Sequence, residues 1–220
     1  MKKRRRKTGK TWVGLLVFFV LLAGALGYFW LNPSPLPKEN SDPFTAVKKY
    51  RPLLQSELKK YRLEKYTDVL LALMQQESYG EGDDPMQASE SIGLPKDTIT
   101  DPKQSIQAGV KHFYNVLTYG NKQKVDFPTI IQAYNMGRGY ITYVAEHGGK
   151  HSEALAKQFS KLQVKKNPTL YNCGGDKTNF RYPYCYGDYS YSTKVLKNVQ
   201  LLVDSIPASG ENKEKTGDAF

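Results

Sequence analysis

The chain has 220 residues and a formal charge of +11, enough for one ordinary domain plus accessory segments. Seven of its cations crowd into the first ten residues, MKKRRRKTGK, which leaves only +4 for the rest. A nucleic-acid surface needs its cations clustered on a folded face, so no nucleic-acid partner is expected.

In chain order, the basic segment 1–10 leads into a 21-residue stretch without charge, TWVGLLVFFVLLAGALGYFWL, over 11–31. A helix needs ~20 apolar residues to cross a bilayer. Cations before the stretch, and none soon after, place segment 1–10 in the cytoplasm and the remainder outside. Trp12 and the cluster Tyr28, Phe29 and Trp30 fit aromatic belts at the two interfaces. The expectation is a single N-terminal transmembrane signal-anchor helix in the cell membrane. The small-x-small run Ala23-Gly24-Ala25 leaves a cleaved, secreted form open. Either way the rest of the chain is exported, and the two cysteines, Cys173 and Cys185, then suggest a disulfide.

Residues 32–43, NPSPLPKENSDP, carry four prolines and read as a stiff spacer. From 44 to 206 the pattern is helical, and an all-α globular domain is expected. A first strong helix runs through YTDVLLALMQQE, ending on Glu77. Asp101-Pro102 reads as N-cap plus first helical position, with Ile106, Val110, Phe113 and Leu117 on one face behind it. Asp126-Phe127-Pro128 opens another helix, stopped at Gly137, and further helices are expected over 140–146, 152–162 and 191–206. The tail, 207–220, is polar and expected to be disordered.

Glu77 is the residue that raises a chemical question. At ~100° per residue, Tyr66, Leu70, Leu73 and Met74 lie within about 60° of it around the helix. It therefore points along the apolar face, at the helix C-terminus. Apolar neighbours disfavour the ionised form, and the negative end of the helix dipole pushes the same way. A glutamic acid kept protonated near neutral pH can serve as a general acid. From periodicity alone, a helix-end glutamate that turns to solvent stays open. The following SYGEGDDP cannot extend a helix, and its glycines let the chain fold back over the helix end. Next comes MQASESIGLP, small and polar, suited to hydroxyl-rich ligands.

The runs ALMQQES, DPMQASES-IG, AYNMGRG and YSTKVLKNV, in that order, resemble the bacterial lysozyme-like muramidases. These are relatives of goose-type lysozymes and soluble lytic transglycosylases. The resemblance covers about residues 60–200. It implies that Glu77 of the Glu77-Ser78 pair is the catalytic acid and that Met86-Gln87 lines a sugar groove. It also implies that Ala133 to Gly137 lies across the cleft and that a helix carrying Tyr191 and Val195 packs beneath the site. The transglycosylases usually carry G-A-x-G-L-M-Q before the groove, where this chain has E-G-D-D-P-M-Q. That departure resembles the Gram-positive cell-wall hydrolase branch. It implies a second catalytic role for Asp84, with Asp83 adjacent; a turn acid before Pro85 is the other reading of Asp84.

Gln87, Ser89, Glu90 and Ser91 are candidate groove residues, or a loop that bonds to itself. Tyr134 and Asn135 are candidates for supporting Glu77 and orienting an acetamido group, or plain core and helix end. The stretch 171–191 holds six tyrosines around the cysteine pair, suited either to stacking on sugars or to filling a stapled loop. His147 and His151 have H-x3-H spacing, but Gly148-Gly149 breaks the helix that would align them. No metal or cofactor is expected. The expected activity is that of an N-acetylmuramidase acting on peptidoglycan glycan strands, cleaving the β-1,4 bond between N-acetylmuramic acid and N-acetylglucosamine. Alternatives are a lytic transglycosylase leaving 1,6-anhydro ends, or a non-catalytic wall-binding scaffold.

Overall fold

The computed structural model describes residues 42–205. The expected membrane helix over 11–31, nearly all of the 32–43 spacer and the 207–220 tail lie outside the described residues. Within them no helix is long and apolar enough to cross a membrane.

Among the described residues the chain is all-helical, as expected, with eight α-helices and no strand. These are α1 (Thr45–Lys48), α2 (Arg51–Lys59), α3 (Thr67–Ser78), α4 (Pro102–Gln123), α5 (Phe127–Met136), α6 (Arg138–Glu146), α7 (Glu153–Lys166) and α8 (Tyr191–Asp204). The helix starts follow their capping chemistry. Asp101 accepts from the amide of Lys103, Asp126 from that of Thr129 and Ser152 from that of Leu155, each satisfying an N-terminal amide with no helical partner. Pro102 and Pro128 occupy first-turn positions, where a missing N–H costs nothing.

Helix α3 is the axis of the domain. Val69 through Met74 are all buried, six residues in a row, so the helix is enclosed around its whole circumference. This differs from the one-faced pattern expected of an amphipathic helix. α8 packs most extensively against it, with α1 and α2 also in contact. Burying each of Leu70, Leu71 and Leu73 contributes roughly 1.5–3 kcal/mol. α4 lies against α2, α5 and α6, and α5 bridges to α8.

A glycine lets the segment after α3 settle on α4. A Cβ at Gly109 would stand 2.7 Å from Cβ of Met86, whose side chain is fully buried there. Gly109→Ala gains about 1 kcal/mol of helix propensity but overpacks the core, at about 1–3 kcal/mol. The expected result is a net loss of stability, readable as a lower thermal midpoint.

Candidate active site

Helix α3 stops just past Glu77 because Tyr79 adopts a left-handed conformation, φ 59°, its amide donating to the Gln75 carbonyl. The chain then folds back, and Ser78 Oγ donates to the Pro85 carbonyl at 2.8 Å. This places residues 84–91 beside the helix end. Tyr134, on α5, donates its hydroxyl to the Met86 carbonyl at 3.3 Å. Tyr191, the first residue of α8, donates its hydroxyl to Glu77 Oε1 at 2.5 Å. Tyr191 from α8 thus bonds to the carboxyl itself, while Tyr134 from α5 bonds to the returning loop.

Glu77 is partly buried, whereas Tyr134 and Tyr191 behind it are buried. Burial is the main influence on the acid, and it pushes the carboxyl up from an ordinary value near 4.5 to about 7. The hydrogen bond from Tyr191 pulls the other way. The charges of Asp84 and Asp188 push further up, and Lys96 pulls down. Burial and the neighbouring Glu77 hold both phenols well above the usual tyrosine range, so both remain hydrogen-bond donors at neutral pH.

Asp84 is enclosed by its own loop. Its Oδ1 accepts from the Ala88 amide at 2.9 Å and from Ser105 Oγ at 2.6 Å. Its Oδ2 accepts from the Ser89 amide at 3.1 Å and from Ser89 Oγ at 2.6 Å. Burial alone would raise this carboxyl, but the bonds from Ser105, Ser89 and Ala88 outweigh it and hold Asp84 below the ordinary aspartate range. A carboxylate offers about four lone-pair sites, and all four are taken by the fold. Asp83, by contrast, is exposed.

The remaining expected site residues separate into two groups. Ser89, expected on the groove surface, is instead 1 % exposed, and its Oγ also accepts from the amides of Thr98 and Ile99. It anchors the loop rather than facing a ligand. Gln87 is half-buried with φ 46°, and its amide nitrogen donates to the Asp84 carbonyl at 3.2 Å. Glu90 and Ser91 are exposed in a short 3₁₀ turn, Glu90–Ile92, with Ser91 Oγ donating to the Ala88 carbonyl. Asn135 is exposed, and its Oδ1 accepts from the Asp188 amide at 2.7 Å, which leaves the NH₂ end pointing away from that bond.

Cys173 and Cys185 are joined in a disulfide, with Cα atoms 5.0 Å apart. Of the six tyrosines around it, Tyr191 alone bonds to Glu77. Tyr186 donates to the Met136 carbonyl and packs edge-on against Phe159 and Tyr171, filling the space between the loop and the helices. Tyr184 and Tyr189 stand nearly perpendicular, with the Lys157 ammonium over both rings. Three residues missed in the sequence matter here: Ser105, Gln132 and Asp188. For Gln132 a signal existed, since it is a polar residue set inside the apolar run Ile130-Ile131-Gln132-Ala133. A separate cavity of about 430 Å³, lined by Tyr66, Leu117, Val125 and Pro128 among others, lies at the opposite end of α3. It holds none of this chemistry.

An all-helical domain whose central helix ends on a desolvated glutamic acid, with a polar loop folded back beside it, is of the lysozyme class. A family model described as lysozyme-like matches residues 44–199, and the chain belongs to that family. It is 46 % identical over 211 residues to the membrane protein YocA of Bacillus subtilis (strain 168), a match covering 94 % of each chain. It is 38 % identical over 154 residues to the bifunctional muramidase/DL-endopeptidase CwlT of the same organism, 70 % of this chain and 42 % of CwlT. The chain thus spans less than half of CwlT. A pneumococcal vaccine antigen A homologue of Streptococcus pyogenes serotype M1 is 34 % identical, over 70 % of this chain and 81 % of that one. Among solved structures, an NLP/P60-family lipoprotein-like protein of Staphylococcus aureus superposes with a TM-score of 0.61 at 34 % identity, covering 77 % of this chain and 56 % of that one.

Proposed function

We propose that the chain is a peptidoglycan hydrolase cleaving the β-1,4 bond between N-acetylmuramic acid and N-acetylglucosamine, with Glu77 as general acid. The observation that carries this reading is the desolvated Glu77 carboxyl, raised to about 7 and held by the Tyr191 hydroxyl. Such a group is protonated at the pH where a leaving sugar oxygen needs a proton. Membership of the lysozyme-like family and the likeness to CwlT, named for muramidase activity, support it. Glu77 protonates the glycosidic oxygen as the bond breaks and positive charge develops on the muramic acid ring. The resulting carboxylate then takes a proton from an attacking water, whose oxygen bonds to the anomeric carbon and leaves a reducing muramic acid end. Residues 11–31 are proposed to anchor the protein in the membrane with the domain outside, a reading supported by the likeness to YocA, named a membrane protein.

A second reading concerns the attacking group. The four filled lone-pair positions of Asp84 favour a reaction without a second carboxylate holding water. In that case the 6-hydroxyl of the muramic acid attacks, and the product is a 1,6-anhydro sugar. Digestion of purified peptidoglycan by the full chain, followed by mass spectrometry, separates the two. Reducing muramic acid ends identify hydrolysis, and ends lighter by one water identify the transglycosylase. Release of neither, by wild-type protein, refutes the enzyme reading.

A further inference from the structure

We propose that Gln132 is a positioning residue for the acid: from α5 it clamps the chain on both sides of Tyr191 and so fixes the phenol against Glu77. The inference deepens the proposed function and rests on it. Gln132 is 0 % exposed. Its Nε2 donates to the Asp188 carbonyl at 2.6 Å, and its Oε1 accepts from the Ser192 amide at 3.0 Å. Residues 188 and 192 bracket Tyr191. The Ser192 amide lies in the first turn of α8, where an N–H has no partner within its own helix, and Gln132 supplies that partner. Ser192 Oγ donates to the Pro128 carbonyl at 2.9 Å, and the Asp188 amide donates to Asn135 Oδ1 at 2.7 Å. The start of α8 is therefore pinned to α5 by four bonds, two of them from one buried side chain.

Glutamine suits the position because it offers a donor and an acceptor on one terminal group. Asparagine is one methylene too short to reach both partners, and methionine of similar length offers neither a donor nor an acceptor of that kind. The Tyr191–Glu77 hydrogen bond is directional, and a displacement of ~1 Å at a reacting group can cost about a hundredfold in rate.

Glu77 is faced by Tyr191 from α8, Tyr134 from α5, Asp84 and Lys96 from the segment between α3 and α4, and Asp188 from the loop before α8. Of these, Tyr191 donates a hydrogen bond that favours the carboxylate. Loosening the clamp should therefore raise the Glu77 midpoint, as removing the Tyr191 hydroxyl should.

The test titrates Glu77 by carbon-13 NMR in the full chain labelled at glutamate carboxyls, with the resonance assigned by loss in Glu77→Gln. Peptidoglycan turnover is measured in parallel. Tyr191→Phe is expected to raise the midpoint, Gln132→Met to raise it too, and the double variant to go no further, since both remove one interaction. Turnover by Gln132→Met should fall about tenfold or more through kcat, with KM nearly unchanged. Gln132→Asn, uncharged and too short to reach both partners, should be intermediate, and it carries the same comparison if the methionine variant does not fold. An unchanged midpoint in the foldable Gln132 variant, or shifts that add in the double variant, overturns the proposal. If the midpoints move as expected but wild type releases no glycan, the enzyme reading fails while the clamp stands.

Discussion

Glu77→Gln is expected to lower glycan release from peptidoglycan about a thousandfold while making the protein more stable above neutral pH. The first effect follows from chemistry, because a carboxamide has no acidic proton to give the leaving oxygen. The second follows from linkage. The folded-state pKa is raised to about 7, against about 4.5 for an unburied glutamate. Between those values the folded protein holds a proton that the unfolded chain has released, so stability falls as pH rises through that window. Glutamine removes the penalty, and a gain of about 1–3 kcal/mol is expected at pH 8 and little at pH 4. Denaturant melts of both proteins at the two pH values check it. Wild-type activity should likewise fall as pH rises past about 7, when the acid loses its proton. A wild-type rate that stays flat to pH 9 would remove Glu77 from the role.

Asp84→Ala should be among the most destabilising single changes in the domain, at about 3–5 kcal/mol, or roughly 10 °C in thermal midpoint. It strips the acceptors from two buried amides and two buried hydroxyls at once. Asp84→Asn keeps the shape but turns an NH₂ group toward donors, and an intermediate loss is expected. Because the native Asp84 carboxyl is held below its ordinary value, its contribution is present above the unfolded value near 4 and is lost as pH falls through the folded one. The asparagine variant should therefore be less sensitive to acid than wild type. It also removes a charge that raises the Glu77 pKa, so the alkaline fall in its activity should begin at lower pH. If Asp84 instead positions a nucleophilic water, the asparagine variant would be nearly inactive even under conditions where it is fully folded.

Much of the helical order was legible in local chemistry. The N-caps Asp101 and Asp126, the helices behind them and the stop at Gly137 all follow from interactions within a few residues. The position of Glu77 at the end of an apolar run was equally local. Its environment was not: the one-faced picture of α3 misses a helix enclosed on every side, because periodicity records which residues are apolar and not what surrounds them. Ser89 looks like any polar groove residue in sequence, yet it is buried beneath Asp84.

By itself the sequence determined an all-helical domain, the candidate acid and the lysozyme-like motif order that makes Glu77 worth testing. The tertiary structure decided which groups set its chemistry. The phenol on Glu77 comes from 114 residues away, the Ser105 hydroxyl on Asp84 from 21, and the amide that Gln132 satisfies from 60. Hydrogen bonds of that span depend on how helices pack. Packing is a property of the assembled core, on which no residue's local pattern reports.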